Sequence, residues 1–281
     1  MNYAHPEVLT DTDFVSKNSS SDDLKLVEVD YDPENGYRKG HIAGATLIWW
    51  RRDINDPITR DIVDKKQFEA LMSRNGITPE DEVILYGDFN NWFAAFAFWV
   101  FKYYGHKNVK IMNGGRKKWE LEKKQYVLEE PKIHPTNYVA QPPDEGLRAY
   151  LFDVRRALSK KEIGLVDVRS PKEFTGEITA PPEYPMEHAQ RGGHIPSAQN
   201  IPWATAVNDS DGTFKSVEEI KQNYIPKGIT PDKEIICYCR IGERSSHSWF
   251  VLKYLLGYPQ VRNYDGSWTE WGNMIGNPVE K

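Results

Sequence analysis

The run Cys239-Arg240-Ile241-Gly242-Glu243-Arg244 stands between an apolar, strand-like segment ending at Tyr238 and a helix-like segment from Ser245 to Leu256. A cysteine so placed is a candidate nucleophile. A strand-to-helix turn aims successive backbone N–H groups into one concavity beside the positive end of the helix dipole, which favours an anion. A thiolate is an anion. The dipole and the guanidinium groups of Arg240 and Arg244 are expected to draw the thiol pKa from ~8.5 toward ~3.5–7.5. Glu243 fits this picture badly, because a carboxylate weakens an anion site, and it is expected to point away from the sulfur. The competing reading of Cys239 is a buried small hydrophobe, which two arginines and a glycine in the same turn disfavour. Cys237 lies inside the apolar run and reads as core. A metal site of Cys237, Cys239 and His247 matches no zinc spacing and lacks a fourth ligand.

The elements that hold this turn occur twice. At an offset of about 152 residues, Val83-Ile84-Leu85-Tyr86 falls on Ile235-Ile236-Cys237-Tyr238, Gly105 on Gly257, Gly114 on Gly266 and Trp119 on Trp271. Gly40-His41-Ile42 matches Gly193-His194-Ile195, and Leu26-Val27-Glu28-Val29 pairs with Leu165-Val166-Asp167-Val168. The last match requires about fourteen extra residues in the second half. They lie in Ile178–Arg191, include Pro181, Pro182 and Pro185, and read as a surface loop. Each half alternates short β-branched segments with helical patterns, as in Val83–Tyr86, Trp92–Tyr104 and Val109–Met112, which is the rhythm of a parallel sheet flanked by helices. The helix at Trp92–Val100 is apolar on all sides and is expected to be buried. The chain is therefore read as two tandem α/β domains, 1–125 and 147–281, joined by a linker over 126–146. The proline-bearing stretch Glu129–Gly146 marks that linker, and Asn137–Ala140 is a candidate first strand of the second domain.

The duplication acts as an internal control. A residue type present in both halves serves the shared fold, and one present in a single half can serve chemistry. His41 and His194 are equivalent, so their rings are read as structural donors to backbone carbonyls, and Trp50/Trp203 and Trp119/Trp271 as packing. Opposite the cysteine loop the first half has Gly87-Asp88-Phe89-Asn90-Asn91-Trp92, without the nucleophile or either cation. The first domain is expected to be catalytically inactive, with Asn91 and Trp92 serving either packing or the wall of a cleft.

A net charge of −5 over 281 residues, with no basic run longer than Arg116-Lys117-Lys118, argues against a nucleic-acid surface. No segment has the apolar length of a membrane span, and Met1–Pro6 does not read as a leader. A cytoplasmic protein with reduced thiols is expected.

A duplicated chain with Cys-Arg-x-Gly-x-Arg in its second half resembles the two-domain rhodanese family, the thiosulfate sulfurtransferases. Asp167-Val168-Arg169 with Glu173-Phe174 and Gly176, then Gly193-His194-Ile195-Pro196-Ser197-Ala198, is similar to that family's Asp-x-Arg and Glu-Phe-x-Gly segments. The stretch through Ser245-Ser246-His247 is similar to the bacterial and archaeal-type enzymes. The resemblance implies two tandem rhodanese-like domains with the active loop in the second. It implies that a Cys239 thiolate attacks the outer sulfur of thiosulfate, that sulfite leaves, and that cyanide or a thiol then removes the sulfur. Arg240 and Arg244 would grip the dianion. Loop N–H groups, through Ile241, Gly242 and Glu243, would cradle the persulfide. Asp167 and Arg169 would support the loop as a pair, while the first half shares the acid, in Glu28 and Asp30, and lacks the arginine. No metal or organic cofactor is implied. The expected partners are an anionic sulfur donor and a thiol, cyanide or protein acceptor. Three alternatives stay open: 3-mercaptopyruvate as donor, a non-enzymatic persulfide carrier or regulatory module, and a cysteine phosphatase. The phosphatase loop has five residues between Cys and Arg, where this chain has four.

Overall fold

The computed structural model describes residues 2–19, 21, 24–181 and 187–281. They divide into two compact units, one of Glu7–Asp144 with Asn208–Phe214, the other of Met1–Pro6, Glu145–Val207 and Lys215–Lys281.

In the first unit the described strands are β1 (Leu9–Thr10), β2 (Leu24–Asp30), β3 (Thr46–Trp49), β4 (Glu82–Tyr86) and β5 (Val109–Met112). They pair in parallel in the order β1-β5-β4-β2-β3. Its α-helices are α1 (Thr12–Asn18), α2 (Lys65–Arg74), α3 (Trp92–Tyr103) and α4 (Gly115–Leu121). The second unit has helix α5 (Leu151–Ala157), then β6 (Ile163–Asp167), β7 (Gln199–Asn200), β8 (Glu234–Tyr238) and β9 (Val261–Asn263), also parallel, in the order β7-β6-β8-β9. Helices α6 (Pro171–Phe174), α7 (Val217–Tyr224), α8 (Glu243–Phe250) and α9 (Ser267–Asn273) complete it.

The central strands follow from their residues. β4 (Glu-Val-Ile-Leu-Tyr) and β8 (Glu-Ile-Ile-Cys-Tyr) bury every residue after the first, the continuous apolar run that a sheet covered on both faces requires. α2, α6 and α7 each open with a reciprocal capping box, Asp64/Gln67, Ser170/Glu173 and Ser216/Glu219. In α3 every residue from Trp92 to Phe101 is buried, as the unbroken apolar sequence predicts. Gly105 and Gly257 follow α3 and the extended α8 at φ of 77° and 72°, a left-handed stop that a side chain would resist.

The two cores repeat residue by residue. Leu26, Ile42, Ala45, Ile84, Tyr86 and Trp119 in one cluster stand where Leu165, Ile195, Ala198, Ile236, Tyr238 and Trp271 stand in the other. The hydroxyl of Tyr86 accepts from Ile42 N–H at 3.0 Å, and that of Tyr238 from Ile195 N–H at 3.1 Å. His41 Nδ1 lies 3.0 Å from the Tyr37 carbonyl and His194 Nδ1 3.0 Å from that of Phe174, each ring stacked on the aromatic of the same residue. Both histidines are fixtures of the fold.

Two expectations need correction. Asn137–Ala140 forms no strand of the second unit. It runs along the first, where Tyr138 packs edge-on against Phe68 and its hydroxyl lies 2.9 Å from His106 Nδ1. The 178–191 insertion is not wholly a surface loop. Pro182, Tyr184 and Pro185 lie outside the described residues, but Ala189 is in the core and Arg191 bonds the carbonyls of Trp271, Gly272, Met274 and Asn277 at the end of α9.

Candidate active site

Cys239 follows β8 directly and is fully buried, with 0% of its surface exposed. Three residues later Gly242 caps α8 at φ 105°, a conformation suited to glycine. A β-carbon there would also lie 3.0 Å from the Asp265 backbone. This bend turns the Gly242 N–H toward the sulfur, at 3.1 Å. Ser245, in the first turn of α8, staples the bend with its hydroxyl, which donates to Asn263 Oδ1 at 2.6 Å and lies 3.0 Å from the Gly242 carbonyl.

Glu243 does not point away from the sulfur. Its Oε2 lies 3.3 Å from Cys239 Sγ, which donates to it. Helical side chains lean toward the helix N-terminus, so the first residue of α8 directs its carboxylate back over the loop, where the dipole favours it. Burial first, then the Glu243 charge, raise the thiol above its ordinary value. They outweigh the Arg244 charge and the bonds from Ser245 and Gly242. The expectation of a resting thiolate is therefore also corrected: burial and the Glu243 charge outrank the Arg244 charge and the hydrogen bonds here.

Arg244 is not an open clamp. Its Nη1 and Nη2 bond the two oxygens of Glu173, on α6, at 2.8 and 2.9 Å, and its Nε lies 3.4 Å from Glu243 Oε1. Burial alone would raise the Glu173 carboxyl, but the charge and hydrogen bonds of Arg244, with help from Arg169, hold it down at about 2. Arg240 and Ile241 are fully buried, and the Arg240 carbonyl accepts from Thr269 N–H at 3.0 Å. Cys237 is buried within β8 as expected. Burial pushes the His247 imidazole down to about 3, with its ring edge-on to Trp203.

Asp167 and Arg169 form the expected pair, both 0% exposed, with Arg169 Nη2 2.6 Å from Asp167 Oδ2 and 2.7 Å from the Gly193 carbonyl. The guanidinium lies 4.7 Å from the Trp268 ring centre. The first unit does not lack the cation. Arg116, on α4, bonds Glu28 and donates to the Gly40 carbonyl at 3.0 Å. Gly40 is the equivalent of Gly193, so the same carbonyl is reached from a different position in the chain.

Ser267 went unnoticed in the sequence. Its hydroxyl accepts from Cys239 N–H at 3.1 Å, donates to the Tyr264 carbonyl at 2.7 Å and lies 4.0 Å from the sulfur. Its φ of 52° is unusual for serine, and its counterpart Gly115 has 54°. The offset that sets Gly87 opposite Cys239 also sets Gly115 opposite Ser267, which was the available signal. Ser267→Gly is expected to fold, because glycine already serves at this φ, and to slow modification of Cys239 by roughly tenfold through one lost hydrogen bond. Stopped-flow alkylation of the thiol measures it.

The loop of the first unit has another chemistry. Gly87 N–H donates to Asn91 Oδ1 at 3.0 Å, and Asn91 Nδ2 to the Met112 carbonyl at 2.8 Å, so Asn91 fills the turn that Glu243 and the sulfur occupy in the second unit. The segment Asn208–Phe214 lies over it. Phe214 N–H donates to Asn113 Oδ1 at 3.0 Å, and a β-carbon on Gly212 would come within 2.7 Å of Asn90 Oδ1. Burial and then the Asp30 charge raise the Asp88 carboxyl to about 7 against Arg116. A carboxyl raised in the fold contributes stability that is lost as pH rises through its folded value. Asp88→Asn is therefore expected to raise the melting temperature at pH 8 and much less at pH 5, by calorimetry.

Residues 11–122 and 152–274 each match the sequence profile of the rhodanese-like domain. The chain belongs to the rhodanese family. Its rhodanese relatives include the sulfur carrier protein TtuD of Thermus thermophilus, 56% identical over 284 residues, with 100% of this chain and 99% of that one covered. Provisionally named thiosulfate sulfurtransferases of Saccharopolyspora erythraea and Haloferax volcanii are 53% and 51% identical, each with 98% of this chain and 96% of the relative covered. The two rhodanese domains also share the fold of the anaerobic ergothioneine biosynthesis enzyme of Chlorobium limicola, solved with trimethyl histidine. There the TM-score is 0.88 and the identity 24%, over 100% of this chain and 72% of that one. Among the described residues, no helix is long and apolar enough to cross a membrane.

Proposed function

We propose that this protein is a sulfurtransferase that takes the sulfane sulfur of thiosulfate onto Cys239 and passes it, as a persulfide, to cyanide or a thiol. The observation that carries the reading is the Cys239 sulfur at the strand-to-helix turn with the Gly242 N–H 3.1 Å away. An N–H aimed at sulfur stabilises the negative charge that a persulfide carries. Arg240 is assigned to the sulfonate, Ile241 and Gly242 to the cradle, and Arg244 to orienting the loop through Glu173. Asp167 and Arg169 support the neighbouring strand. The first domain, 1–125, is read as catalytically inactive and 147–281 as catalytic, in a cytoplasmic protein that needs no metal or organic cofactor. The names of the Saccharopolyspora and Haloferax relatives agree with thiosulfate as donor.

A persulfide carrier is the second reading, favoured by the name of the Thermus relative. Intact-mass measurement after thiosulfate treatment, with steady-state turnover on thiosulfate and on 3-mercaptopyruvate, separates the cases. One added sulfur atom and rapid thiocyanate production are expected. Higher efficiency with mercaptopyruvate would overturn the donor, and a stable persulfide released only to another protein would make the chain a carrier.

A further inference from the structure

We propose that Glu243 is the base that takes the Cys239 proton as sulfur is attacked and returns it when the sulfur leaves. The idea rests on the persulfide reading above, which it deepens. The thiol donates to Glu243 Oε2 at 3.3 Å, and both residues are 0% exposed, so the proton needs an acceptor inside the protein. The other groups about this turn are differently engaged. Arg244 is held by Glu173, Asp265 is paired with Arg148 at 2.9 Å, and Asp167 is paired with Arg169. The buried Arg240 is a cation, and His247, one turn along α8, is a poor base at about 3. Arg244 Nε, 3.4 Å from Oε1, keeps the carboxylate in place.

Charge favours the transfer. A thiolate and a carboxylate side by side would put two like charges in one buried site before a dianion arrives, whereas moving the proton from sulfur to oxygen keeps the count at one. In the forward step the Cys239 proton passes to Glu243 Oε2, and the sulfur's electron pair forms the new S–S bond. The bond from sulfane sulfur to sulfonate breaks, and its pair leaves on sulfite. When cyanide takes the outer sulfur, the S–S bond breaks, its pair returns to Cys239, and Glu243 gives back the proton. The sum is thiosulfate and cyanide in, sulfite and thiocyanate out, with charge conserved.

A proton that stays between sulfur and carboxylate makes the rate insensitive to pH, because none has to leave for solvent before sulfur is attacked. Single-turnover sulfur loading from thiosulfate, followed by intact mass, is expected to be flat from about pH 5.5 to 8 in the native protein. In Glu243→Gln the proton must go to solvent, so the rate should climb about tenfold per pH unit until the thiol ionises. Glu243→Asp should stay flat at a lower rate. A Gln variant as flat as the native protein, or one that loads faster throughout, would overturn the proposal. So would a native profile that itself climbs tenfold per unit, whether or not the Gln variant folds. Iodoacetamide alkylation of Cys239 over the same range gives the same contrast without any donor. A native protein that gains no sulfur but keeps the contrast loses thiosulfate as its donor and retains Glu243 as its base.

Discussion

Cys239→Ala is expected to abolish both sulfur loading and thiocyanate production, with turnover falling by at least about 10³-fold, because no other group can form the persulfide. Cys237 cannot stand in for it. It lies inside β8 with 0% exposure, and burial raises its thiol far above the ordinary range. The variant should keep its melting temperature within a few degrees, since removing one sulfur from a turn stapled by Ser245 and Ser267 leaves those bonds in place. Mass spectrometry of peptides after thiosulfate treatment makes the test site-specific. Sulfur carried by the Ala variant in equal amount would refute the assignment.

Glu173→Gln should have the largest effect on stability. Glu173 is 0% exposed and Arg244 3%, and the substitution leaves a buried guanidinium facing a neutral amide. Breaking a buried pair by removing one partner costs about 3–5 kcal/mol, which lowers the melting point of a domain this size by roughly 10–20 °C. The same carboxylate closes the capping box of α6, accepting from Ser170 N–H at 3.1 Å. Its folded value of about 2 lies below the ordinary 4.5, so its contribution is complete above the latter and is lost as pH falls through the former. The gap in melting temperature between native and Gln forms, read by calorimetry, should be constant from pH 7 to 5 and shrink toward pH 2. A gap that widens in acid would contradict the pairing.

Much of this was legible in the sequence. The repeat of Val83–Tyr86 in Ile235–Tyr238 located the two central strands, and the cysteine loop marked the candidate site, because strand periodicity and turn chemistry are local signals. Two kinds of information were not local. Whether Arg244 faced a ligand or a protein carboxylate depended on Glu173, brought in by α6. Whether the thiol was acidic depended on burial, which no spacing reports. Glu243 was misread for a different reason. Its charge beside an anion is legible in the sequence, but the direction of its side chain follows from standing in the first turn of a helix. The helix itself begins there and not at Ser245.

The arginine behind each loop carries a lesson for anyone aligning or recombining such repeats. Column by column, Asp30 against Arg169 and Arg116 against Trp268 look like two unrelated mismatches. In space they are one compensated exchange: Arg116 lies 4.5 Å from the Tyr126 ring and Arg169 4.7 Å from that of Trp268, each reaching the carbonyl of its Gly-His-Ile segment. A graft that moved either column alone would seat two guanidinium groups together or none. The unit of transfer between these halves is the pair of positions, and a scoring scheme blind to that coupling would grade a preserved interaction as a double loss.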